Sequence, residues 1–387
     1  MINICVVTTT RAEYGLLRPL IKKINEDAET ELSLIVSGTH LSDKFGHTID
    51  EIIKDGFPIA KTIEIPLDTD SSVSMAESIS STLTSFSKYL SKAKPSLLVI
   101  LGDRYEAFAV ATAASVCRIP IAHIHGGETT EGAMDEFFRH SITKMSYLHF
   151  TSCEAYRQRV IQLGESPNRA FNVGALGIEN IKKLELLSNE EIVDILGIDK
   201  NIPYCMITYH PVTMENSTVQ EQFGNLLIAL DNFTNMQFVF TKANADIDGD
   251  KINEMIDEYS SKHENIRAFF SLGVIKYLSA LKYSKMIIGN SSSGIIEAPS
   301  FDIPTINIGD RQKGRIQAKS IINCVPDKNK IISSINNALT CDYTGTENPY
   351  EGKNTSFVIL STIKNIFNED KINLKKTFYD IQRYNNV

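Results

Sequence analysis

Short apolar runs alternate along most of this chain with longer stretches whose apolar positions recur every three or four residues. That pattern predicts strands and helices in alternation, hence an α/β fold of parallel sheets joined by right-handed crossovers. Strands are expected at Ile2–Thr8, Leu32–Ser37, Ser96–Leu101, Ile119–His125, Leu148–Thr151 and Ala170–Val173. Helices are expected at Tyr14–Ile24, Ser74–Leu90, Tyr105–Val116, Glu136–Met145 and Cys153–Leu163, completing one Rossmann-like unit. After Gly177 a polar stretch, Lys182–Asn201, ends in an Asn-Ile-Pro turn and marks a domain boundary. A second series follows: strand Tyr204–Tyr209, helix Val219–Phe233, strand Gln237–Thr241, helix Lys251–Ser260, strand Ile266–Phe270, helix Lys276–Tyr283, and strands Met286–Gly289 and Pro304–Ile308. The expected organisation is an N-terminal Rossmann-like domain over 1–177, a C-terminal one over 178–365, and a helix over 366–387 that crosses back onto the first. Two facing Rossmann-like units imply a cleft suited to a nucleotide-bearing substrate.

Size and charge narrow the class. At 387 residues the chain fits two α/β domains, each with its own core. A formal charge of −8 offers no basic face for nucleic acid or an anionic membrane, so a phosphate partner has to be held by local groups. The 6 cysteines are scattered without a C-x-x-C pair and read as reduced core thiols rather than disulfides or a zinc site. The chain opens directly into a strand, and no apolar run reaches the ~18 residues that span a bilayer. A cytoplasmic enzyme acting on a small molecule is the expectation.

The ionisable residues gather at predicted strand ends. One apolar run ends in Gly102-Asp103-Arg104 and the next in His125-Gly126-Gly127-Glu128, with Asp135, Glu136, Arg139 and His140 following. In an open α/β sheet ligands bind at that edge, and a dense set of carboxylates and histidines there suits proton transfer. His123 and His125, two apart in a predicted strand, are expected to share a face. Asp135 and Glu136 also read as an acid pair at a helix start, and His140 lies one turn beyond Glu136. Arg11, in Thr10-Arg11-Ala12-Glu13-Tyr14-Gly15, is placed at a strand-to-helix turn where backbone N–H groups and a guanidinium meet an anion. The motif is not G-x-G-x-x-G, which argues against a nicotinamide or flavin. The corresponding junction of the second half, Gly289-Asn290-Ser291-Ser292-Ser293-Gly294, offers hydroxyls and amides for a diphosphate without a Walker lysine, and Glu297 stands one turn further on for ribose hydroxyls. His210, before Pro211, ends the first strand of that half. Asp246, Asp248 and Asp250 look like the start of a calcium loop, but Asp257 rather than Glu holds the twelfth position, so they read as a loop and helix start and no metal is expected.

These motifs, together with Ser37-Gly38-Thr39-His40, Arg139-His140-Ser141-Ile142-Thr143-Lys144 and Gly309-Asp310-Arg311-Gln312, make the chain resemble the UDP-N-acetylglucosamine 2-epimerase family, most closely its hydrolysing branch. The resemblance implies two Rossmann-like domains of glycosyltransferase-B type, a homodimer and no cofactor. It also implies C2 proton abstraction, anti elimination of UDP to a 2-acetamidoglucal and hydration to N-acetylmannosamine for sialic acid synthesis. Asp103, Asp135 and His210 match family catalytic positions. Arg11, Ser291, Ser292, Gly294 and Glu297 match the diphosphate and ribose end, with Arg311 a further candidate there and His40 a candidate for the sugar. Where many members read His-x-Glu-Ala-Gly, this chain reads His123-Ile124-His125-Gly126-Gly127, so either His125 or Glu128 takes the proton-transfer role. A UDP-2,4-diacetamido-2,4,6-trideoxy-hexose on the way to legionaminic acid is an alternative substrate. The non-hydrolysing branch, a glycosyltransferase of the same fold and a non-catalytic UDP-sugar binder are the rival activities.

Overall fold

The computed structural model describes residues 1–68, 71–131, 133–212, 219–243, 248–369 and 372–381. In chain order the first series is β1 (Ile2–Thr8), α1 (Arg11–Glu26), β2 (Thr30–Ser37), α2 (Ile49–Lys54), β3 (Ile59–Ile63), α3 (Ser72–Ala93), β4 (Leu97–Leu101), α4 (Tyr105–Val116), β5 (Ile121–Ile124), α5 (Asp135–Met145), β6 (Leu148–Thr151), α6 (Glu154–Gln162), β7 (Ala170–Asn172) and α7 (Leu176–Lys183). The second is α8 (Asn189–Leu196), β8 (Tyr204–Thr208), α9 (Val219–Leu230), β9 (Gln237–Thr241), α10 (Gly249–Lys262), β10 (Ile266–Phe269), α11 (Gly273–Tyr283), β11 (Ile287–Gly289), α12 (Ser292–Ile296), β12 (Thr305–Ile308), β13 (Ile321–Cys324) and α13 (Lys328–Thr340), followed by α14 (Thr355–Asn368).

The chain divides into two compact units, Met1–Glu128 with Asp135–Asn180 and Tyr350–Val387, and Thr129–Met134 with Ile181–Pro349. The first holds a seven-stranded sheet in the order β3-β2-β1-β4-β5-β6-β7, the second a six-stranded sheet in the order β10-β9-β8-β11-β12-β13, every pair parallel. Both faces of each sheet are covered, which is why the strands read as continuous apolar runs. In β1, Ile4 and Val6 pack with α1 and α14 while Cys5 and Val7 pack with α3 and α4, the period of two expected of a strand. In β8, Cys205 and Ile207 face α9, α10 and α13, and Tyr204 and Met206 face α8 and α11.

Strand order reverses between β1 and β4 in the first unit and between β8 and β11 in the second. At such a switch point the crossover helices leave in opposite directions and the strand ends stay open for a ligand. Asp103 follows β4, Arg11 follows β1, His210 follows β8 and Ser291 follows β11, so both switch points carry residues singled out from the sequence.

Several expectations shift. The polar stretch Lys182–Asn201 contains α8, whose Ser188 and Glu191 form a reciprocal capping box. Strand β3, helix α2, strand β13 and helix α13 were not expected; β3 and β13 are edge strands, whose half-exposed sequences lack a continuous apolar run. The tail beyond Asn348 is helical at Thr355–Asn368, in the first unit; of the helix expected over 366–387, only 366–368 lie in it, 370–371 and 382–387 lie outside the described residues, and the described residues 372–381 carry none. That segment is tied to the first unit instead by Lys376, whose Nζ donates to Glu165 at 2.9 Å. Thr129–Met134 belongs with the second unit although it lies in sequence between Glu128 and Asp135.

Candidate active site

The first unit's candidate residues converge on one buried arginine. Arg139, on α5, is 1% exposed. Its guanidinium donates to the Asp103 carboxylate, to Glu136 Oε2 at 2.6 Å and to the Glu128 carbonyl at 3.2 Å. His140 Nε2 lies 3.0 Å from the other oxygen of Glu136. A buried cation is tolerated only when paired and hydrogen-bonded, and the planar guanidinium fork lets one side chain hold two carboxylates and a carbonyl at once. Thus Asp103, at the end of β4, and Glu136 and His140, on α5, form one network. Asp135 is the first residue of α5, beside that network in the chain.

The turn after β5 builds a second pair. Strand β5 ends at Ile124, and His125 sits in the left-handed region at φ 66°. His123 and His125 therefore do not share a face. His123 is fully buried, with Nε2 2.8 Å from the Gly102 carbonyl and Nδ1 3.2 Å from Thr143 Oγ1 of α5. Burial pushes its pKa down to about 3, so it packs as a neutral ring under α5. His125 instead brings Nδ1 to 3.3 Å from Glu128 Oε1, which also accepts from Ser152 Oγ at 2.7 Å. Glu128 is 2% exposed. The two residues that the sequence offered as alternatives are thus partners. The turn needs glycine: Gly127 has φ 78°, and a Cβ there would lie 2.4 Å from the Tyr156 carbonyl.

At the β1 end, Thr10 caps α1 through the Glu13 amide, and the Glu13 carboxylate takes hydrogen bonds from the Thr9 amide at 2.7 Å and the Thr9 hydroxyl at 2.9 Å. Burial, with the nearby Glu106 carboxylate adding to it, pushes the Glu13 pKa up to about 7. Arg11 forms a two-pronged ion pair with Glu51 of α2 at 2.6 Å and 3.1 Å. His40 is fully buried between Thr8 Oγ1 at 3.0 Å and Thr48 Oγ1 at 2.8 Å, and burial lowers its pKa to about 4. Both of its ring nitrogens are occupied by protein hydroxyls.

The second unit's strand ends carry hydroxyls and amides. Ser291 caps α12, its hydroxyl accepting from the Ser293 amide at 3.3 Å. Ser292 opens the helix, and Tyr277 donates to Ser293 Oγ at 2.7 Å. Gly294 lets the helix sit against β12, since a Cβ there would lie 2.7 Å from Thr305 Cγ2. Glu297 follows the last turn of α12, and Arg311 Nη1 donates to the Asn290 carbonyl at 3.2 Å.

A family model for UDP-N-acetylglucosamine 2-epimerases matches residues 22–364. The chain belongs to that family. It is 45% identical over 322 residues, 83% of its length and 84% of the other's, to a hydrolysing GDP/UDP-N,N'-diacetylbacillosamine 2-epimerase of Campylobacter jejuni. It is 42% identical over 387 residues, 98% of each chain, to a polysialic acid biosynthesis protein of Escherichia coli. The crystal structure of UDP-GlcNAc 2-epimerase from Neisseria meningitidis bound to UDP-GlcNAc superposes with a TM-score of 0.77 at 17% identity, covering 94% of this chain and 100% of that one. That likeness establishes the glycosyltransferase-B-like fold of this 2-epimerase family member.

Two features of the candidate site were not legible in the sequence. Arg139 appeared in a motif without a role, because nothing local shows that it reaches across to Asp103, 36 positions away. Glu13 had a local signal, the Thr10-x-x-Glu13 capping pattern, but its elevated pKa comes from burial. Among the described residues no group of three or more His, Cys, Asp or Glu side chains could hold a metal ion, and no helix is long and apolar enough to cross a membrane. Asp246 lies outside the described residues, while Asp248 precedes α10 and Asp257 pairs with Lys242 at 2.7 Å.

Proposed function

We propose that this protein is a hydrolysing 2-epimerase that converts UDP-N-acetylglucosamine and water to UDP and N-acetylmannosamine, supplying sialic acid synthesis in the cytoplasm as a homodimer. The observation that carries the reading is the network in which Arg139 joins Asp103, Glu136 and the Glu128 backbone, beside the His125–Glu128 pair, in a chain of this family. Removing the weakly acidic C2 proton needs a positioned base, and Asp103, anchored by a side chain that is itself buried and doubly paired, meets that requirement. The electron pair left at C2 forms the C1–C2 double bond as the C1–O bond to UDP breaks. Water then supplies a hydroxyl at C1 and a proton at C2 on the opposite face. The His125–Glu128 pair can give up one proton and take another, and Asp135 assists. Ser291, Ser292, Glu297 and Arg311 hold the UDP, Arg311 bringing the positive charge that its neighbours lack. Arg11 can exchange Glu51 for an anion at its own strand end, and His210 donates to the substrate.

The Campylobacter relative's name favours a second reading, in which the sugar is UDP-N,N'-diacetylbacillosamine. The same steps apply to it, since C2 carries an acetamido group in both. Proton NMR in deuterium oxide decides. UDP together with N-acetylmannosamine bearing deuterium at C2 supports the first substrate; turnover only of the diacetamido sugar moves the enzyme to the second. A UDP-linked mannosamine product, or no C2 exchange with either sugar, overturns the hydrolysing mechanism.

A further inference from the structure

We propose that Asn290 is a positioning residue for His210, an amide clamp that sets the backbone of that histidine and links it to the loop carrying Arg311. The proposal rests on the reading that His210 acts on the sugar nucleotide.

The clamp begins where β8 and β11 meet at the switch point. Gly289, the last residue of β11, has φ 139°, and a Cβ on it would lie 1.9 Å from the Thr208 carbonyl. Only glycine lets the two strand ends come so close. The Asn290 amide then donates to that carbonyl at 3.1 Å, which continues the strand pairing by one residue. Past this point β8 has no further ladder, yet the next backbone groups are not left to solvent. Asn290 Oδ1 accepts from the His210 amide at 2.7 Å, and Asn290 Nδ2 donates to the His210 carbonyl at 2.8 Å. One side-chain amide thus serves both backbone groups of a single residue. Pro211 holds His210 from the other side, because a residue before proline is confined to extended conformations. Asn290 has no exposed surface, and His210 is 7% exposed.

The same asparagine is gripped in turn. Its carbonyl accepts from Gln312 Nε2 at 2.8 Å and from Arg311 Nη1 at 3.2 Å, and Gln312 is itself fully buried. A chain of contacts therefore runs from the Arg311 loop through Asn290 to His210. A backbone segment held by two directional bonds keeps little orientational freedom, and an error of 1 Å in a reacting group costs about 100-fold in rate. Asn290 touches no reacting atom in this scheme; it acts through His210.

The test compares the wild type with Asn290→Ala and Gln312→Ala in the full-length protein. The probes are steady-state turnover of the UDP-sugar accepted by the wild type, calorimetric affinity for UDP, and the His210 ring resonance, assigned by its loss in His210→Gln. The expected result is a kcat lowered 10- to 100-fold in Asn290→Ala and severalfold in Gln312→Ala, UDP affinity within threefold of wild type, and a displaced His210 resonance with those of His47 and His263 unmoved. An unmoved His210 resonance with wild-type kcat in either folded variant overturns the clamp. If Asn290→Ala fails to fold, Gln312→Ala alone carries the same two readouts. Full activity in His210→Gln would instead remove the functional reading, while the resonance still reports whether Asn290 orients the ring.

Discussion

The two switch points carry side chains of opposite character on the same sheet geometry. In the first unit, carboxylates and histidines crowd around a guanidinium, and the groups beneath them are buried and strongly perturbed. In the second, serine hydroxyls, an asparagine and a glutamine line the strand ends, with Arg311 as the cation among them. A fixed, partly buried arrangement of charges suits proton transfer. On the proposed function the serine hydroxyls and Arg311 face the diphosphate, while Asn290 and Gln312 hold the strand ends in place. The comparison teaches that the parallel fold supplies the same place twice, and the side chains at each place give it its character.

The division breaks most readily at Arg139. Arg139→Ala leaves the partly buried Asp103 and Glu136 carboxylates without their counter-charge; breaking a fully buried pair costs about 3–5 kcal/mol, so a loss of about 2–3 kcal/mol is expected here. Urea unfolding should show a loss of that order, with activity abolished even in the fraction that stays folded; a stability change under 1 kcal/mol would remove Arg139 as the hub. Asp103→Asn tests the chemistry more selectively. It keeps the shape, and kcat should fall by about 10²–10⁴ while calorimetry finds UDP binding nearly unchanged. Weakened UDP binding with a preserved kcat would place Asp103 among the binding groups and erase the contrast.

Acidification sharpens the comparison without any substitution. His40 and His123, both in the first unit, have folded-state pKa values depressed by burial to about 4 and about 3. In the unfolded chain each binds a proton near pH 6.5, so the unfolded state takes up more protons below that value. The stability they contribute is present above pH 6.5 and is lost as the pH falls towards 4 and then 3, by at most about 3 kcal/mol for His40. Glu13, with its folded pKa raised to about 7, gains native-state stability as the pH falls to about 4.5 and offsets part of this loss; hydrogen exchange followed by mass spectrometry between pH 7 and 3 should still show the first unit losing protection before the second. Simultaneous loss would contradict it. The smallest effect belongs to the second unit: Ser292→Ala should weaken UDP binding about tenfold, the worth of one hydrogen bond to a charged group, with kcat nearly constant for saturating substrate. A kcat defect with unaltered affinity would assign Ser292 to the chemistry.

Legibility followed the range of the interaction. Strands β1, β6 and β9 and helix α4 agree with their expected bounds residue for residue, since each is a buried run or an uninterrupted helical stretch bounded by turn residues. Helix α8 lay within a stretch taken as a polar boundary although Ser188 and Glu191 spell a capping box; its short apolar face of Ile192, Val193 and Leu196 is what the charge around it concealed. For the site, Asp103, Glu128 and His125 were visible because strand ends are visible. Their mutual arrangement was not, because a left-handed His125 and a guanidinium spanning 36 positions leave no periodic trace.

By itself the sequence determined the α/β class, the two sheets and the clustering of ionisable groups at the strand ends, since hydrophobic period and turn chemistry are local properties. Only the tertiary structure decided which of those groups meet. It turned His123 into a neutral packing residue and His125 into the partner of Glu128, made Arg139 the centre of the acids, and set Asn290 against the backbone of His210. Each of these depends on which strand lies beside which and on how much water is left between them, and neither quantity is written in any short stretch of chain.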